Sequence, residues 1–114
     1  MDESILNNIK KLLGIEPEDT HFDIDVIIHI NTALMRLNQL GVGNGLTISD
    51  KETTWAQLIG TRTDLVSSKT YVYLKVRLVF DPPANSFLVE AMKNQITELE
   101  WCINVKAEGG TENE

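Results

Sequence analysis

The sequence predicts an all-α fold, a small bundle of four to five helices that closes on a long C-terminal helical hairpin. Three observations carry this. Apolar residues recur at helical spacing near the start of the chain and again after Pro83. Glycines and prolines fall between these stretches and rarely inside them. No stretch with strand-like alternation has a clear partner strand elsewhere in the chain.

The chain has 114 residues, 42% of them apolar and 24% charged, which is ordinary globular composition. That length suits one domain and buries roughly two-thirds of the unfolded surface. We expect a single helical domain over residues 1–108 and a disordered acidic tail over 109–114. Acidic residues outnumber basic ones 17 to 10, for a net charge of −7. This argues against a phosphate-gripping, sequence-specific nucleic-acid surface, which concentrates Lys and Arg, and it is compatible with a basic protein partner. Cys102 is the only cysteine, so no intramolecular disulfide can form, in keeping with a reducing cytosol. Met1-Asp2-Glu3-Ser4 lacks the basic start and apolar run of a signal peptide, and no apolar run approaches membrane-spanning length.

The first helix is expected over Ser4–Leu13. Ile5, Ile9, Leu12 and Leu13 form one apolar face, Ser4 or its acidic neighbours cap the start, and Gly14 sits where a left-handed C-cap belongs. Lys10 and Lys11 suit the negative end of the helix dipole. A second helix is expected from Thr20, with Thr20-x-x-Asp23 as a capping box, to Leu40. Phe22, Val26, Ile27, Ile30, Ala33, Leu34, Leu37 and Leu40 form its stripe, widened by Ile24, Ile28 and Met35, so it should be covered on two sides. Gly41-Val42-Gly43-Asn44-Gly45 is a loop with cheap access to positive φ. Leu46–Ile48 reads as a short extended piece. Ser49-x-x-Glu52 predicts a capping box for a third helix over Lys51–Ile59, anchored in the core by Trp55.

From Thr70 to Phe80 the pattern fits two structures. Val72, Leu74, Val76, Leu78 and Phe80 alternate as in a strand, while Leu65, Val72, Val76 and Val79 fit a helical face. The stretch from Thr63 is long for a strand, so a helix capped by Thr63 is predicted. Asp81-Pro82-Pro83 must break it, because proline lacks the N–H that a continuing helix needs. The same pair can open the last helix. There Leu88, Met92, Gln95, Leu99 and Cys102 step along one line, broadened by Phe87, Ala91, Ile96 and Ile103. Trp55, Phe87 and Leu99 are expected to be buried.

No catalytic constellation emerges. His21, Asp25 and His29 lie at i, i+4 and i+8, a spacing that can hold a metal, but one helix supplies too few ligands and the line continues as a solvated edge through Thr32, Arg36 and Gln39. Cys102 has no marked base and reads as a packed thiol. Glu98 and Glu100 point to different faces, not as an acid–base pair. The glycines at 41, 43 and 45 lack the Lys-Ser/Thr of a phosphate loop. Tyr71, Tyr73, Lys75 and Arg77 spread around a helix and do not form a base-stacking platform. Neither enzymatic activity nor a cofactor or metal is expected.

Thr70-Tyr71-Val72-Tyr73-Leu74-Lys75-Val76-Arg77-Leu78-Val79-Phe80-Asp81-Pro82-Pro83, then Glu90-Ala91-Met92-Lys93 and Glu98-Leu99-Glu100-Trp101, resemble the small head–tail connector (adaptor, head-completion) proteins of long-tailed bacteriophages and their prophage copies. The opening Ile5–Ile15 stretch and Ile30-Asn31-Thr32-Ala33 are similar to the family as well. The resemblance implies a structural virion protein at the head–tail junction, assembled in the host cytoplasm. It would form a homo-oligomeric ring on the portal protein, extend the DNA channel, and receive the next head-completion or tail protein. The glycine loop (Gly41, Gly43, Asn44, Gly45) and the C-terminal segment from Ala107, together with Lys106 and Glu108, are the expected partner contacts. The alternative is a small helical regulatory module that binds another protein.

Overall fold

A computed structural model describes residues 3–43, 45–60 and 66–109. Five helices appear in order: α1 (Ile5–Leu12), α2 (Asp23–Gln39), α3 (Trp55–Ile59), α4 (Ser67–Phe80) and α5 (Ser86–Gly109). The all-α expectation holds, and the ambiguous Thr70–Phe80 stretch is helical. The N-cap expected at Thr63 lies outside the described residues.

α4 is the middle of the molecule. It packs against α2 on one side and α5 on the other, and α1 closes on α2. Tyr71, Val72, Leu74 and Val76 of α4 are all buried, around more than half of the helix's circumference. They meet Val26, Ile30, Ala33, Leu34 and Leu37 of α2 and Ile96 and Ile103 of α5 in one core. The chain reverses between each pair. Phe22, at the start of α2, meets Phe80, at the end of α4, edge to face at 5.5 Å.

The local signals explain most helix ends. Ser4 caps α1, accepting from the Asn7 N–H at 3.2 Å. α1 and α2 end alike, each on a glycine of positive φ: Gly14 at 84° and Gly41 at 101°. After each glycine the next N–H reaches back to the last turn, Ile15 to the Lys10 carbonyl and Val42 to the Leu37 carbonyl. Pro82 and Pro83 end α4, but they do not open α5. Asn85 does that, its Oδ1 accepting from the Phe87 N–H at 2.7 Å and the Leu88 N–H at 3.2 Å.

Two predicted caps are displaced, each by a contact with a segment distant in sequence. Thr20 and Asp23 form no capping box, and α2 starts at Asp23 after an uncapped Phe22. The Asp23 carboxylate instead lies 2.8 Å from the Lys10 ammonium, which also donates to the Pro17 carbonyl at 3.0 Å. The Asp23 contact is electrostatic more than a hydrogen bond, since its Oδ1 lacks a well-aligned donor. Lys10 is 1% exposed, so its last-turn cation is an interior group and not a solvated one. The box predicted at Ser49 and Glu52 is likewise absent. Thr54 and Gln57 form it, because Thr53–Trp55 is held extended by an antiparallel bridge between Ser4 and Thr54. Within that bridge the Ile5 N–H donates to the Thr53 carbonyl and the Trp55 N–H to the Glu3 carbonyl, both at 3.0 Å. Trp55 is 2% exposed, with its indole N–H on Asn8 Oδ1 at 2.9 Å, as its anchoring role requires. Asn31 closes the Leu46–Ile48 piece against α2 by pairing both polar atoms with the Ile48 backbone.

The seam of α5 is rotated from the expected line. Its buried residues are Ile96 and Ile103, with Met92, Leu99 and Ala107 packed beside them. Phe87 stands nine residues before Ile96, two and a half turns, so it faces the opposite way and is 82% exposed. Cys102 is exposed and not a packed thiol. Leu88 is exposed too. On α2, Ile24, Ile28 and Met35 do not widen the buried stripe; they face away from it.

The Lys10–Asp23 pair yields a direct test. Removing one partner strands a charge at the α1–α2 junction, so Lys10→Ala should lower the free energy of unfolding by about 3 kcal/mol in urea melts followed by circular dichroism. Adding Asp23→Asn should recover part of that loss.

Candidate functional site

The expected contact residues gather at one end of the bundle, where the loop after α2 meets the end of α5. The Asn104 amide donates to the Leu40 carbonyl at 3.1 Å. A Cβ on Gly41 would stand 3.1 Å from the Cβ of Ala107, so loop and helix are in close contact here. Ala107 therefore belongs to the packed structure and not to the tail. Lys106 is exposed beside it. Asn44, the side chain of Glu108 and residues 110–114 lie outside the described residues.

The loop itself is closely fitted. Val42 is buried, and the Gly45 N–H donates to Asn38 Oδ1 at 2.7 Å. A Cβ on Gly43 would come within 2.6 Å of Leu58 Cδ1, while one on Gly45 would meet nothing. Gly43 is thus fixed by both its φ of 95° and its contact with α3.

A polar cluster ties the three long helices together above the core. The Tyr71 hydroxyl of α4 donates to Glu100 Oε2 of α5 at 2.6 Å. Arg36 of α2 forks onto the same carboxylate, Nε to Oε2 at 3.4 Å and a terminal nitrogen to Oε1 at 3.2 Å. Burial, and then the bond to Glu100, push the Tyr71 hydroxyl well above the usual tyrosine range. For Glu100, burial opposes ionisation, but the hydrogen bonds from Arg36 and Tyr71 and the charge of Arg36 outweigh it, so its carboxyl sits below the usual value. Nothing in the sequence spacing marks this cluster, because its members lie on three different helices. Glu98 is exposed and apart from it, as expected of a residue on another face.

His21, Asp25 and His29 are not brought together with other ligands. His21 and Asp25 are exposed, and His29 lines a groove of about 350 Å³ with Thr32, Lys75, Leu78, Lys93 and Ile96. Among the described residues no group of three His, Cys, Asp or Glu side chains could hold a metal ion. No described helix is long and apolar enough to cross a membrane.

The polar cluster is held in contacts between the three long helices of the bundle. The comparison with family profiles gives the class: residues 5–110 match the phage connector protein family, and the chain belongs to it. That family is structural, and membership implies a place in the virion. No curated protein and no solved structure matches the chain.

Three outcomes follow from this geometry. Gly43→Ala should cost more stability than Gly45→Ala, by about 1–3 kcal/mol, since only the first adds a clash to the positive-φ strain; parallel thermal melts measure the difference. Glu100 has a depressed native pKa, so the stability it contributes is present above the unfolded value of about 4.3 and is lost as pH falls through the folded value. Glu100→Gln should cost about 1–2 kcal/mol at neutral pH, where solvent at Arg36 weakens the pair, and the gap to the unaltered protein should close in acid. Tyr71, with a raised pKa, contributes stability below about pH 10 that is lost as pH rises further.

Proposed function

We propose that the protein joins the portal vertex of a phage head to the tail. It would form a ring on the portal, extend the DNA channel, and present a surface to the next head-completion or tail protein. The observation that carries this is the match of residues 5–110 to the phage connector family, supported by a helical bundle without a catalytic arrangement in its described residues. The net charge of −7 suits a channel past which DNA slides without being gripped.

In this reading residues 1–108 are the connector domain and the acidic end is a contact segment. Gly41, Gly43, Asn44 and Gly45, with Lys106 and Glu108, are proposed to meet the portal or a ring neighbour; the proximity of Gly41 to Ala107 favours one shared contact surface at that end of the bundle. Assembly takes place in the host cytoplasm. Each contact is modest and becomes firm only when many subunits engage one template.

The test is retention on assembled cognate portal. The full chain should be retained. Because Ala107 packs against the core, the clean truncation removes residues 110–114. That variant should keep its melting temperature and lose retention. Failure of the full chain to bind portal would overturn the connector reading, and equal retention of both would remove the terminal segment from it.

A further inference from the structure

α2 and α5 both lie on α4. At one end they are tied together, by Arg36 on Glu100 and by the Asn104 amide on the Leu40 carbonyl. Toward the other end the groove of about 350 Å³ separates them. It runs along residues 29–33 of α2, 75–79 of α4 and 93–97 of α5, about one helical turn of each, or roughly 6 Å. That length takes one or two side chains and not a whole helix. Ala33, Leu78, Val79 and Ile96 give it an apolar lining, and among the described residues no Asp or Glu faces into it. The Thr32 and Thr97 hydroxyls are spent on their own helices, donating to the Ile28 and Lys93 carbonyls at 3.1 Å each. The remaining side-chain donors are the His29 ring and the Lys75 and Lys93 ammonium groups. Lys75 stands 5.9 Å from the centre of the Tyr71 ring, and the carboxylate whose charge it feels, Glu100, is already held by Arg36 and Tyr71. Lys93 lies 3.8 Å from Glu90 on its own helix, a pair 59% and 69% exposed that solvent keeps weak. Asp25, one turn before His29, is exposed and outside the lining. The result is a small apolar hollow with a cationic rim, on a chain of net charge −7.

We propose that this groove docks a short acidic segment of a partner protein. One aliphatic side chain of the segment enters the hollow, and carboxylates beside it meet Lys75, Lys93 and His29. Charge complementarity selects this occupant. The net charge of the chain repels an acidic segment elsewhere, so attraction is concentrated where cations gather without a carboxylate among them. A basic segment meets like charge at the rim, and a neutral apolar one fills the hollow but gains nothing from the ammonium groups. An anion without an apolar group leaves Ala33, Leu78, Val79 and Ile96 in water. The acidic end of this chain does not fit either, since residues 110–114 contain two glutamates and no apolar side chain. The two halves of the contact do different work: the apolar insertion removes surface from water, and the rim charges set orientation and speed of encounter. The assignment does not depend on the ring reading above.

The probe is the capped peptide Glu-Glu-Leu-Leu-Glu-Glu, titrated into the full isotope-labelled chain and followed by backbone amide chemical shifts. It should bind at least about tenfold more tightly than Lys-Lys-Leu-Leu-Lys-Lys and than Glu-Glu-Ser-Ser-Glu-Glu. The shifts should centre on residues 29–33, 75–79 and 93–97, and added salt should narrow the gap between the acidic and basic peptides. Lys93→Glu and Val79→Asn should each weaken the acidic peptide by about tenfold or more. Both side chains are more than half exposed, so melting temperature should hold; if one variant melts lower, the other carries the comparison. No binding of the acidic peptide, equal binding of the three peptides, shifts centred elsewhere, or variants that bind as the unaltered chain does would each overturn the assignment. So would concentration-dependent shifts at the same residues without any peptide, which would give the groove to a second copy.

Discussion

α4 is covered on two sides, and the rest of the structure follows from that constraint. A helix between two others must be apolar around most of its circumference, so Tyr71, Val72, Leu74 and Val76 are all buried although they do not share one face. Polar atoms on such a helix need partners supplied from outside it. The Tyr71 hydroxyl finds one in Glu100, and Glu100 is held in turn by Arg36, so the central helix fixes the relative positions of both its neighbours. Ser68 shows the converse. Its hydroxyl is buried without a hydrogen-bond partner among the described residues.

The same constraint explains what could and could not be read from the residues. Local signals were legible because they act within a few residues: Ser4 and Gly14 around α1, the glycines after α2, and the proline break after α4. The strand-or-helix ambiguity of Thr70–Phe80 arose because two-sided burial erases amphipathic periodicity. The missed caps have a different origin. Asp23 and Thr53–Trp55 were each claimed by a distant segment, Lys10 and the Glu3–Ile5 backbone, and no local pattern records such a claim.

The rotation of α5 is the most instructive difference. Sequence patterning treats apolar side chains as core, yet burial is a one-way rule and the informative observation is the large side chain that stays outside. Phe87, Trp101, Ile24 and Ile28 are of that kind. The family resemblance was legible across nearly the whole chain, whereas the side of each helix that the core occupies was not, since it depends on packing between elements distant in sequence.

The bridge between Ser4 and Thr54 has a consequence for the history of the chain. It pins two points fifty residues apart with main-chain hydrogen bonds and one indole–amide contact, none of which depends on the lengths of the intervening connections. Closing a flexible segment costs only about 0.6 kcal/mol more for each doubling of its length. The connection at residues 49–52, between Ile48, which Asn31 holds, and Thr53 in the clasp, can therefore gain or lose residues at small cost while both ends of the clasp stay in place. Length variation between related chains should collect there, and the two elements that meet at the clasp should keep their spacing to the bundle.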